Sequence, residues 1–366
     1  MIIYILMLAK VGICLLVVIT LMVVYRLSGL SGCSNDKFYD KLNEERPYGS
    51  SMRSDQTFNA KNFLYIKERI KPWNDNPKNK DCKMFQYDVD KSIDVNDYSL
   101  VKKDEPIQMF FNDNTHTLTT YYNHRYVDAG KYFDFMKSLM DTEDVVLPDL
   151  KYLPYLSEMA LVPYGMKMAK KFITSRTVIP KDISYVNHIH SVIKDSSISE
   201  LKKILPGIKT KTIVAYLVIN YILTSARRHK KDGILRVLFT VGFNRNNSLY
   251  KNVGNMIGGI VIDIPYQLSG YELMQFLNKN LKKEMSQAVH SLNFQISLPI
   301  LAEVPKMTRD GIDMIFSLSP YFKCGRMPVD IKVLVPFIIQ PLYSLVLSCN
   351  DRHFIYLASM SSWIKK

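Results

Sequence analysis

Ile107–Leu139 reads IQMFFNDNTHTLTTYYNHRYVDAGKYFDFMKSL, and the interpretation of the whole chain starts there. Its first half alternates and is rich in Thr, Tyr and Phe, which predicts a strand-like run carrying the chain to His124. Asp128, Ala129 and Gly130 then make a tight turn. After them Tyr132, Phe133, Phe135, Met136 and Leu139 recur at helical spacing. A histidine between the end of a strand and the start of a helix sits at a sharp bend, where a side chain can project into a cleft rather than into the core. The spacing His-x-x-x-Asp is weak by itself, since seven histidines give roughly 0.4 chance matches. The glycine two positions past the aspartate, and the strand–turn–helix setting, make it far more selective.

A neutral imidazole at such a bend is a general base that works near pH 7, and its natural acceptor is an alcohol or an amine. Asp128 beside it needs a cation to hold it. Arg245, delivered at the end of the predicted strand Ile234–Phe243, is the best candidate, which gives Asp128 a structural role across two halves of the chain.

Outward from this stretch, Phe58–Ile70 reads as a short amphipathic element ended by Pro72, and Lys83–Leu100 as one or two strands. Ser157–Thr174 is a methionine-rich helix whose apolar residues suit core packing. The second half opens at Ser184 with alternation in YVNHIHSVI, which puts His188 and His190 on one strand face. No third ligand neighbours them, so half-exposed polar rings are expected in place of a metal pair. A short helix follows over Ser197–Leu205, capped by Ser199 and stopped by Pro206-Gly207. Thr210–Arg228 is a longer, strongly apolar helix, and Tyr271–Val289 another. Strands are expected at Ile257–Ile264, Gly311–Pro320, Val329–Val333, Leu342–Cys349 and His353–Met360.

Composition bounds what this α/β chain can be. At 366 residues, 47% hydrophobic and 22% charged, it is a folded protein with room for two domains. The net charge of +14 would suit an anionic surface or a polyanionic small molecule. Nucleic acid is not expected as a partner. The densest basic cluster, Arg227–Lys231, ends a predicted helix and reads as a solvated C-terminus complementing the macrodipole. Five scattered cysteines, none at CxxC spacing, read as a reducing compartment and no zinc site. The absence of GxGxxG, GxSxG, HExxH and phosphate-loop signatures argues against dinucleotide redox chemistry, serine or zinc hydrolysis and nucleotide hydrolysis as the main activity.

Met1–Tyr25 carries one charged side chain, Lys10, in an otherwise apolar run long enough to span a bilayer. A single-pass anchor over 1–28 is the expectation, with a membrane-embedded hairpin or a buried helix as alternatives. Leu30-Ser31-Gly32-Cys33 resembles a lipoprotein cleavage box, but Arg26 interrupts the approach to it. Arg26, Lys37, Lys41 and Arg46 follow the span, which places the body on the cytosolic side.

His124-x-x-x-Asp128-Ala129-Gly130 resembles the HxxxD(A)G motif of the chloramphenicol acetyltransferase-like, CoA-dependent acyltransferase superfamily. The strand ending Val241-Gly242-Phe243-Asn244-Arg245 is similar to the strand whose arginine supports the motif aspartate there. Gly254-Asn255 before Ile257–Ile264 resembles the "GN" segment of condensation and wax-synthase proteins. The resemblance implies two chloramphenicol-acetyltransferase-like subdomains, each a mixed sheet with flanking helices, set in a V around a central tunnel. With the expected anchor (1–28) and a polar tether (29–57), the subdomains take 58–180 and 181–366.

Acyl-CoA would enter the tunnel as cosubstrate and a hydrophobic acceptor from the other side, with no permanently bound cofactor and no metal. His124 would be the catalytic base, while Asp128, Gly130 and Arg245 support the motif. Asn255, Ser317 and Ser319 are candidate oxyanion or tunnel residues. Two departures matter: Asn123 stands where many relatives have a first histidine, and Tyr321–Gly325 does not reproduce the DFGWG motif. These point to a lipid-type acyltransferase, with a catalytically inactive binding or assembly protein on the same fold as the alternative. Acyl transfer to an amine or sugar is a further one.

Overall fold

The computed structural model describes residues 51–74, 86–88, 107–123, 127, 129–141, 179–182, 186–242, 257–285, 311–319, 323, 325–334 and 340–364. In chain order the first half contributes β1 (Ser51–Thr57), α1 (Ala60–Asn74), β2 (Gln86–Asp88), β3 (Ile107–Asn112), β4 (Thr117–Asn123) and α2 (Ala129–Met140). The second half begins with β5 (Asn187–Lys194), α3 (Asp195–Ile204), α4 (Thr210–Arg227), β6 (Ile234–Gly242) and β7 (Ile257–Pro265). It continues through α5 (Gly270–Met285), β8 (Met314–Leu318), β9 (Asp330–Leu334), β10 (Leu342–Cys349) and β11 (Arg352–Ser359). One sheet runs β2-β3-β4-β1-β9 and the other β5-β11-β10-β8-β6-β7. Both mix parallel and antiparallel pairs.

The run expected to reach His124 as one strand is a hairpin. β3 and β4 pair from Ile107↔Tyr122 to Asn112↔Thr117. Asn112 Oδ1 accepts the Asn114 and Thr115 amides, both at 3.1 Å, and His116 takes a positive φ of 50° to close the turn.

The expected tether ends too late. Its last seven residues, SMRSDQT, form β1 inside the first sheet between β4 and β9. Their polarity hid the strand, because the polar groups are satisfied within the sheet. Arg53 Nε meets Asp55 at 2.9 Å, Thr119 Oγ1 donates to Asp55 at 2.8 Å, and Gln56 Nε2 donates to Tyr132 at 2.9 Å.

β9 comes from the expected C-terminal unit, 181–366, yet pairs with β1 from Arg53↔Leu334 to Thr57↔Asp330. The first sheet therefore draws its edge strand from the second half of the chain.

Helix ends depart from expectation in two places. α1 continues past position 72 to Asn74. α3 starts at Asp195, and the Ser199 hydroxyl does not cap it but donates to the Asp195 carbonyl one turn back at 2.9 Å. Pro206-Gly207 stops the chain after α3 as its residue types dictate: Gly207 has φ +81°, and the Ile208 amide closes on the Leu205 carbonyl at 3.3 Å.

The packing follows the apolar faces. α1 and α2 share a core with the first sheet through Phe63, Ile66, Tyr132, Phe135 and Met136. α4 and α5 cover one face of the second sheet, joining Val237, Phe239, Ile262 and Val346. The other face of that sheet sends Leu345, Leu347, Phe354 and Tyr356 into the core of the first. The β10–β11 hairpin is tied to the start of α3 by His353, fully buried, whose Nδ1 meets Ser348 Oγ at 2.9 Å and Nε2 meets Asp195 Oδ1 at 2.8 Å.

Among the described residues no helix is long and apolar enough to cross a membrane. The expected span, 1–28, lies outside them, as does the methionine-rich segment 157–174. Cys349 is buried, its thiol donating to Met327 Sδ at 3.0 Å; the other four cysteines are outside the described residues.

Candidate active site

His124, Asp128, Arg245 and Asn255 lie outside the described residues. The frame that carries the first two is described on both sides. β4 ends at Asn123, whose carbonyl accepts the Val127 amide at 3.0 Å, and α2 opens with Ala129 and Gly130. Tyr122, two residues before His124, stacks on Tyr132, four residues after Asp128, with ring centroids 4.3 Å apart and planes at 12°. Gln56 of β1 donates to the Tyr132 hydroxyl, and burial pushes that hydroxyl's pKa up to about 12. The strand–helix corner is thus locked by a buried aromatic pair and a hydrogen bond from the neighbouring strand.

A cavity of about 200 Å³ opens on the other face of the first sheet, lined by Arg53, Asp55, Phe110, Asn112, Thr117, Thr119 and Lys332 among others. Thr117 and Thr119 lie four to six residues up β4 from Asn123, roughly 13–20 Å along the strand. Its walls mix the Phe110 and Phe111 rings with hydroxyls, an amide and charges of both signs, so it offers polar and apolar surface in similar measure. The second sheet reaches towards it. His190 feels Lys332, Asp330 and Asp55 electrostatically, and its imidazole is pushed below the usual value, chiefly by burial and then by Lys332. His188 Nδ1 meets the Tyr356 hydroxyl at 3.0 Å, and both imidazoles pack on the Tyr356 ring. Among the described residues no three potential metal ligands come together.

The two candidate serines differ. Ser317, half-buried on β8, accepts from Thr240 Oγ1 at 2.9 Å and hydrogen-bonds Tyr343, whose hydroxyl is pushed up by burial. Ser319 is fully buried, its hydroxyl accepting the Ser348 amide at 3.2 Å and its own amide donating to the Val346 carbonyl. Ser319 therefore joins strands, while Ser317 sits in a hydroxyl chain across β6, β8 and β10.

Sequence reasoning missed Arg53, Asp55 and Lys332, because it placed the first two in a tether and did not bring β9 to β1. It also missed the Tyr122–Tyr132–Gln56 lock. The ten-residue spacing of the two tyrosines across a turn was the available signal.

No protein-family model matches the chain, and no curated protein is similar to it in sequence. In three dimensions the two mixed sheets and their helices have the condensation-domain fold, shared by CoA-dependent acyltransferases. The chain is similar to trichothecene 15-O-acetyltransferase from Fusarium sporotrichioides, with TM-score 0.58, 12% identity and 88% of each chain covered. It is similar to the wax ester synthase/diacylglycerol acyltransferase of Marinobacter aquaeolei, with TM-score 0.54, 10% identity, and 90% of this chain and 93% of that one covered. A third is the starter condensation domain of rhizomide synthetase, solved in complex with C8-CoA, with TM-score 0.53, 8% identity, and 90% and 88% covered. At such identities the likeness is one of fold.

Proposed function

We propose that the protein is a membrane-anchored acyltransferase that moves an acyl group from acyl-CoA to the hydroxyl of a hydrophobic alcohol. One observation carries the reading. In a chain with this fold, the sequence His124-Arg125-Tyr126-Val127-Asp128-Ala129-Gly130 falls between the end of β4 and the first residues of α2. His124 takes the acceptor's proton and the freed oxygen attacks the thioester carbonyl. The carbon–sulfur bond then breaks, and the imidazolium returns the proton to the CoA thiolate. Arg245 holds Asp128, and the chemistry runs in a tunnel between the halves, with Ser317 or Asn255 as oxyanion donor. Segment 1–28 keeps the enzyme where acyl-CoA and lipid alcohols meet, with its body on the cytosolic side, and the positive charge favours the CoA phosphates.

The test is labelled acyl-CoA offered to the purified full chain with a long-chain alcohol, a diacylglycerol, an amine and a sugar in parallel. Ester formation on the lipid alcohols is expected, and His124→Ala lowers it by about 10²–10⁴-fold while the melting temperature holds. Transfer only to the amine or sugar reassigns the acceptor. No turnover with any acceptor, and no effect of His124→Ala, leaves the inactive binding protein.

A further inference from the structure

Three helix ends face the same edge of the second sheet's helical layer. The C-terminus of α3 leads through the Leu205–Lys209 turn straight into the N-terminus of α4. α5 runs antiparallel to α4. At the far end of α4, Arg227 Nη1 donates to the Tyr266 and Leu268 carbonyls at 2.8 and 3.0 Å, just before α5 begins, and the two helices share a core. The last turn of α5 therefore points back along α4, in the direction of the α3–α4 turn. Exposed at this edge are Lys202, Lys203, Lys209, Lys211, Lys279, Lys282 and Lys283, and the carboxylates of the three ends are Glu200 in α3 and Glu284 in the last turn of α5.

Helix dipoles account for only part of this charge. Lys202, Lys203, Lys282 and Lys283 lie in last turns, where cations are favoured. Lys209 and Lys211 stand at the N-terminus of α4, where cations are disfavoured and no acidic residue relieves them. The Lys211 ammonium is pushed down by partial burial and by Lys209, so the two sense each other. Beside them Ile204 leaves 57% of its surface exposed at the tip of α3. Positive charge placed against a helix dipole, next to a bare aliphatic side chain, does not stabilise the helix that carries it.

We infer that this edge docks on an anionic membrane surface, the lysines on lipid phosphates and Ile204 in the interfacial layer. Lysine point charges spread over three helix ends match a diffuse array of headgroups. The described part of the edge holds neither arginine forks nor aromatic platforms, which recognition of nucleic acid or a single clamped phosphate would use. The inference is independent of the acyl-transfer reading.

The test is hydrogen exchange of the full chain on phosphatidylcholine vesicles, with and without about 30% phosphatidylglycerol. Segment 1–28, if it inserts, does so in both. Slower exchange over 202–211 and 279–285, by about fivefold or more, is expected only on the anionic vesicles, and it disappears in about 0.5 M NaCl.

The double variant Lys209→Glu/Lys211→Glu abolishes that protection while keeping or raising the melting temperature, since carboxylates suit the α4 N-terminus. Lys230→Glu/Lys231→Glu, the same charge change at the opposite end of α4, leaves the protection intact. Equal exchange on both vesicle types overturns the inference, as does equal loss in the control variant. Protection produced without vesicles by CoA or by a duplex oligonucleotide also overturns it and assigns the edge to that ligand.

Discussion

Removing the Tyr132 hydroxyl while keeping its ring isolates the lock on the motif corner. Tyr132→Phe leaves the buried Gln56 amide short of its acceptor and costs about 1–2 kcal/mol, read by chemical denaturation. The hydroxyl's raised pKa fixes the pH dependence. The neutral phenol is favoured in the fold, so its contribution is complete below pH 10 and fades as pH rises towards about 12. A shift of this size corresponds to about 2–3 kcal/mol. Tyr132→Phe therefore flattens the alkaline loss of stability, leaving a residue from Tyr266 and Tyr343, whose hydroxyls burial also raises. His188 and His190 act at the acid end. Burial lowers both, so protonation is disfavoured in the fold; stability present above the ordinary histidine value of 6.5 is lost as pH falls through it. His188→Asn/His190→Asn should lessen the drop in melting temperature between pH 7 and pH 5.

β9 shows how much an element's placement can differ from its local signal. Its alternation was legible: Ile331 and Val333 are buried, while Lys332 between them points to the other face beside Asp55. Which sheet it joins was not, since pairing with β1 spans most of the chain and leaves no trace in neighbouring residues. Ile331→Ala is expected to cost about 2–4 kcal/mol, because Ile331 packs into the core that both halves share and the void left there cannot close up locally. Lys332→Ala, on the solvated face with 62% of its side chain exposed, stays within about 0.5 kcal/mol. Denaturant titration of the pair checks both. Equal effects would mean that the β1–β9 seam does not hold the sheet.

Taken whole, the molecule is two sheets with two cores, and both halves of the chain contribute to the first of them. Leu345, Leu347, Phe354 and Tyr356 of the second sheet pack into the core of the first, and β9 closes that sheet's edge. A fragment 29–180, without the proposed anchor, would expose both the β1 edge and the part of the first core that those residues cover. It should be insoluble when made alone and recovered in solution when co-expressed with 181–366. A soluble, folded fragment 29–180 would contradict the shared core.

The sequence by itself determined the order of strands and helices in the second half and the strand–turn–helix setting of the motif. Hydrophobic period and turn chemistry are written in neighbouring residues, and Pro206-Gly207 or Asn112 act over four positions. Only the tertiary structure decided that SMRSDQT is an interior strand, that β9 crosses to β1, and that Tyr122, Tyr132 and Gln56 lock one corner. Those depend on polar groups finding partners far along the chain, and on contacts that only the folded chain brings within reach.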